Sequence, residues 1–167
     1  MFRRIERRPA SSQPTDAVRA LIVDVRERGD EALLELTERY DGVRPDGLRV
    51  PADVVAAAPG VLDGGLLDAL RTSMRNVRAV AEAQLREPVL VTPPEGQRVV
   101  VCDQPLARAG IYAPGGRAAY LSSVVMCAVT ARVAGVDEIA VCSPPAADGE
   151  VHPLVLAACA LCEVDEV

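Results

Sequence analysis

Through the first half of the chain, apolar residues recur at helical spacing. Val18, Leu21, Ile22 and Val25 fall at i, i+3, i+4 and i+7, one face of a helix that Thr15 can cap. Gly29 stops that helix. Asp30 is placed to cap a second one, in which Leu33, Leu36 and Tyr40 share a face, and Asp41-Gly42 closes it as a turn. Leu48-Arg49-Val50 reads as a short strand, and Pro51 opens a brief helix through Ala58. A long helix follows from about Leu66 to Arg86, with Leu67, Leu70, Met74, Val77 and Ala81 as its stripe. All these stripes are read as core, because an amphipathic helix stabilises a fold by burying its apolar side.

The pattern changes at Pro88. β-branched runs take over at Val89 to Thr92 and Val99 to Cys102. Pro93-Pro94-Glu95-Gly96 between them reads as the turn of a hairpin. An apolar strand then runs up to Tyr112, breaks at Pro114-Gly115-Gly116, re-enters as a helix, passes Gly135 and returns as the strand Ile139-Ala140-Val141-Cys142. That is one βαβ unit, with its turn at the carboxyl end of a strand, where open α/β sheets bind ligands. Pro153 to Cys162 reads as a helix, and Val164-Asp165-Glu166-Val167 as a turn entering a strand.

The predicted organisation is therefore a loose N-terminal arm over 1–13, a helical region over 14–87 and an α/β region over 88–167. The last is the start of a Rossmann-like lobe that looks truncated, since a parallel sheet of two or three strands needs cover on both faces. The fold class is α/β: a helical region followed by the first βαβ of an incomplete Rossmann-like parallel sheet.

Composition narrows the function. Half of the 167 residues are hydrophobic, yet there is no Trp, one Phe and three Tyr, so the core is aliphatic. All 18 basic residues are Arg, against 24 acidic residues, for a net charge of −6. That balance argues against a nucleic-acid partner, which needs clustered positive charge. Arg3, Arg4, Arg7 and Arg8 make a basic cluster read as a solvated arm. No apolar run reaches the roughly 20 residues of a membrane span, and no apolar segment follows the N-terminal arginines as in a secretory signal. Five cysteines among apolar neighbours read as reduced, buried thiols of a cytoplasmic protein.

Candidate chemistry centres on the glycine turn. Tyr112, at the strand end, could stack on or hydrogen-bond a nucleotide, or be a half-buried aromatic. Gly115 and Gly116 could admit a ligand close to the backbone, or simply make a tight turn. The run is neither Gly-x-Gly-x-x-Gly nor a Walker motif. Ser122 and Ser123, in the first turn of the next helix, read better as caps than as ligand contacts, and Arg117 could meet an anion or be solvated. Cys159-Ala160-Leu161-Cys162 has no second pair to complete a zinc site and is read as structural. His152, the single histidine, is expected to be a solvated loop residue before Pro153. Asp24, Glu27, Asp30 and Glu31 read as a solvated face. No catalytic set is visible.

The sequence resembles the N-terminal part of the histidinol dehydrogenase family. The likeness is carried by Gly110-Ile111-Tyr112-Ala113-Pro114-Gly115-Gly116, then Ser122, Val124, Met126, Ala131 to Val136 and Ile139 to Pro145. Val25-Arg26, Gly29-Asp30, Ala32-Leu33, Thr37, Tyr40-Asp41, Asn76-Val77, Gln84 and Asp103 to Leu106 support it in collinear order from Ala17 on. The resemblance implies an NAD-dependent, two-step oxidation of L-histidinol to L-histidine in histidine biosynthesis, with one zinc per site and an intertwined homodimer. The family's NAD-contacting tyrosine falls on Tyr112, so the implied cofactor site is Tyr112, Pro114, Gly115 and Gly116. The family's zinc ligands and Glu-His catalytic pair lie in a later half, so no catalytic or metal residue is expected here and the chain is expected to be inactive alone. Leu121 and Thr130 stand where the family usually has Pro, and Cys127 where it often has Asn. A diverged paralogue acting on another amino alcohol is one alternative. A non-catalytic subunit that binds a nucleotide or a partner is another.

Overall fold

The structure is a computed structural model that describes residues 15–115 and 119–167. The N-terminal arm with its arginine cluster, Gly116 and Arg117 lie outside the described residues. Six helices, a short 3-10 turn and four strands follow in order: α1 (Thr15–Arg28), α2 (Asp30–Asp41), α3 (Ala52–Ala57) with its 3-10 extension Ala58–Val61, α4 (Gly64–Glu82), β1 (Val89–Val91), β2 (Val99–Val101), β3 (Arg108–Tyr112), α5 (Leu121–Val133), β4 (Glu138–Cys142) and α6 (Pro153–Leu161).

The centre is the pair β3–β4. The two strands are parallel, with Arg108 opposite Glu138, Ile111 opposite Val141 and Tyr112 opposite Cys142. A parallel pair needs a crossover, and α5 supplies it. Gly135, at φ +82°, takes the left-handed turn that ends this crossover after Ala134. Strand period two sends Ile111, Ile139 and Val141 to one face, where they are buried. There they join Val124, Val125, Ala128 and Val129 of α5, Leu70 of α4, and Val155, Ala158 and Cys159 of α6 in one aliphatic core. The α4 stripe behaves as its spacing predicts: Met74 and Val77 pack against that core and Ala81 is buried. Asp63 caps α4 by accepting from the Leu66 N–H at 2.8 Å, so the helix starts and ends a few residues earlier than expected.

The residues after α6 add a third, one-rung strand. Glu166 bridges Ala140 in parallel, and the Val141 N–H donates to the Glu166 carbonyl at 2.8 Å. Asp165 fixes this register. Its Oδ2 accepts from the Ile139 N–H and from Arg132, each at 2.7 Å, and Arg132 also donates to the carbonyls of Val136, Asp137 and Glu163. One guanidinium thus ties the end of α5, the start of β4 and the returning chain together.

Several expectations fail for physical reasons. The α1 and α2 stripes are not core: Val18 is 47% exposed, Ile22 46% and Tyr40 62%, because these helices pack chiefly on one another. Leu48 to Val50 forms no strand; a single bond from the Val50 N–H to the Val167 carbonyl is too little to make a ladder. Asp30 does not cap α2, since Gly29 takes the cap position and no side chain bonds there. The expected hairpin β1–β2 forms, with Val89 opposite Val101, but all six of its apolar side chains are exposed. Among the described residues, no helix is long and apolar enough to cross a membrane.

The Asp165 clamp makes stability depend on pH. The Ile139 N–H, and then Arg132, hold the Asp165 carboxyl below its ordinary range. A depressed pKa adds stability above the unfolded value near 4 and loses it as pH falls through the folded one. Asp165→Asn should therefore unfold at lower urea than the parent chain at pH 7, with the gap closing below about pH 4. An equal gap at both pH values would contradict this role.

Candidate nucleotide-binding edge

β3 and β4 end side by side. Their ladder runs one bond beyond β3, from the Ala113 N–H to the Cys142 carbonyl at 2.8 Å, and Ala113 is fully buried. Two loops leave from there: one through Pro114 and Gly115 toward α5, the other through Ser143 and Pro144 toward α6. The strands β3 and β4 and the Glu166 rung stand in chain order, so no reversal of strand order falls within the described residues.

Tyr112 lies on the sheet face opposite the core. It is 67% exposed and shares that face with Arg108, Gly110, Glu138 and Cys142, all exposed. The half-buried reading of this tyrosine is therefore wrong. A large aromatic is held at the carboxyl end of a strand with its ring available for stacking. The other three residues of the implied site part company. Pro114 and Gly115 are partly buried, and Gly116 lies outside the described residues.

Gly115 turns its missing side chain toward the neighbouring loop. A Cβ there would stand 3.0 Å from Ser143 Oγ, 3.1 Å from the Pro144 carbonyl oxygen and 3.2 Å from Pro144 Cγ. The glycine serves close packing between the two loops. The Ser143 hydroxyl in that joint is buried and has no hydrogen-bond partner among the described residues. Nothing in the sequence pattern singled out Ser143 beyond its place at the end of a strand.

The remaining candidates are accounted for one by one. Ser122 and Ser123 sit in the first turn of α5, but the cap position is Tyr120 and no side chain bonds there. The Ser123 N–H donates to the Tyr120 carbonyl at 3.1 Å. His152 is not a free loop residue: its Nδ1 accepts from the Leu154 N–H at 3.2 Å and caps α6. Cys159 and Cys162 are buried, and burial raises their thiols to about 12 and about 11, the first also through Cys162 and the second through Glu163. They are inert at neutral pH. Cys102, Cys127 and Cys142 are exposed, contrary to the expectation that all five are buried. Asp24, Glu31 and Glu35 pair with Arg28 and Arg44 on an exposed face. Among the described residues, no three His, Cys, Asp or Glu side chains cluster as metal ligands would. An open groove between Arg49 to Pro59 and Val164 to Val167 lies apart from the two loops at the ends of β3 and β4.

The fold defines the class: a βαβ unit of Rossmann-like type, with helices on one face and two adjoining loops at its carboxyl edge. Comparison with known proteins makes the class specific. The profile of the histidinol dehydrogenase family matches residues 5–167, and the chain belongs to that family. It is 49% identical over 154 residues to the histidinol dehydrogenase of Thermobifida fusca, covering 91% of this chain and 35% of that protein. It is 43% identical over 160 residues to that of Bifidobacterium longum, covering 94% and 34%. The crystal structure of histidinol dehydrogenase from Elizabethkingia anophelis superposes with a TM-score of 0.85 at 25% identity, over 95% of this chain and 36% of that one. The chain spans about a third of the length of these relatives and corresponds to their N-terminal portion.

The loop contact can be tested directly. Gly115→Ala must push Ser143 and Pro144 back by a few tenths of an ångström, and overpacking of this kind costs about 1–3 kcal/mol. Urea unfolding should show that loss, and an unchanged midpoint would mean that the two loops are not in contact.

Proposed function

We propose that this chain supplies the nucleotide-binding part of an NAD-dependent oxidoreductase of the histidinol dehydrogenase type. The observation that carries the reading is the exposed Tyr112 ring at the carboxyl end of β3, next to the Gly115 loop, in a chain of this family. The residues fit a dinucleotide. Tyr112 offers a face for stacking or a hydroxyl for a hydrogen bond. The loop bearing Pro114 and Gly115 would bring backbone close to the ligand, and the start of α5 would add the positive end of the helix dipole.

Bound NAD⁺ would supply hydride-accepting chemistry, one equivalent for the alcohol of L-histidinol or a similar amino alcohol and a second for the hydrated aldehyde, which together would give the amino acid. This chain's own part would be to hold and orient the nucleotide. Among the described residues no three His, Cys, Asp or Glu side chains cluster as zinc ligands would, so no ligand to that metal is placed in this chain. Catalytic and metal groups would come from sequence corresponding to the other two-thirds of the relatives. The exposed apolar rows of α1, α2 and the β1–β2 hairpin support a homodimer in the complete cytoplasmic enzyme, where such surface would be covered.

The direct test is NADH absorbance with the purified 167-residue chain, L-histidinol, NAD⁺ and zinc. No steady turnover is expected. Steady turnover would show that a catalytic set exists within these residues and would overturn the division of labour.

A further inference from the structure

We propose that Ser143 is a second nucleotide-binding residue, its hydroxyl donating to a phosphate oxygen of the dinucleotide. The inference rests on the nucleotide reading above and deepens it. Ser143 follows Cys142, the register partner of Tyr112, so it opens the loop adjoining the one that leaves Tyr112. Its Oγ lies in the joint between those loops, facing Gly115, and has no hydrogen-bond partner among the described residues. Buried polar groups in folded proteins are nearly always paired, so an unpaired one calls for a reason.

Among the described residues the fold gives none. A hydroxyl removed from water without a partner destabilises the protein that carries it, and an alanine at 143 would avoid that loss. A residue that weakens the free state and sits where parallel strands present ligands gains its value in the bound state. The chemistry suits a phosphate. A hydroxyl can turn its hydrogen toward an anionic oxygen, and among the described residues no bond holds the Ser143 Oγ. Ser143 is partly exposed as a residue while Oγ faces the joint, so a phosphate would reach the hydroxyl where the two loops part.

Ser143→Ala in the 167-residue chain separates the outcomes, with ADP and adenosine as probes in calorimetric or NMR titrations. Loss of one hydrogen bond to a charged group should weaken ADP binding about tenfold and leave adenosine binding unchanged. The variant should unfold at the same urea concentration as the parent or higher. Unchanged ADP affinity would overturn the role of Ser143 while leaving the nucleotide site standing. Equal loss for ADP and adenosine would overturn the phosphate contact. A marked drop in stability would make Ser143 a packing residue. Failure of the parent chain to bind either probe would overturn the nucleotide reading itself, and this inference with it.

Discussion

Parallel pairing of β3 with β4 is the constraint on which the rest of this structure depends. Two adjacent parallel strands require a crossover, and α5 can only make it by lying across the pair. Strand parity then sends Ile111, Ile139 and Val141 under that helix, and α4 and α6 close around it. The same parity sends Tyr112 and Cys142 to the other face, at the ends of the strands. The position of the candidate site is thus a consequence of packing on the opposite side of the sheet. The Arg132–Asp165 clamp extends the arrangement by one rung and sets the register at Ile139 and Ala140.

Much of this was legible in the sequence, for definable reasons. The βαβ unit shows because its periods differ and because proline and glycine punctuate it at 114–116 and 135. The α4 stripe shows because both its existence and its burial follow from contacts within this chain. The stripes of α1 and α2 show equally well as helices but mislead as core, because spacing says which face is apolar and not what covers it. The β1–β2 hairpin repeats that lesson in strand form: its turn shows in the sequence and the exposure of both its faces does not.

The misses at the site have a common cause. Gly115 against Ser143, and Asp165 against Ile139, are contacts between residues far apart in sequence. No local pattern encodes them. His152 reads as a loop residue because histidine is an uncommon cap, and only the geometry shows its ring nitrogen on the Leu154 N–H. Tyr112 was placed at a strand end, but its exposure depends on which face α5 covers. Family membership adds the setting. The relatives are about three times as long, and the uncovered sheet face and helix rows suit a unit that operates within such a protein.

The central claim is that the carboxyl edge of β3 and β4 receives the nucleotide. The most direct measurement is the amide chemical-shift map of this chain on titration with NAD⁺. The account predicts that saturable shifts cluster at Tyr112, Ala113, Gly115 and Ser143 and at the start of α5. Shifts confined to the groove between Arg49 to Pro59 and Val164 to Val167, or no saturable shifts at all, would contradict it.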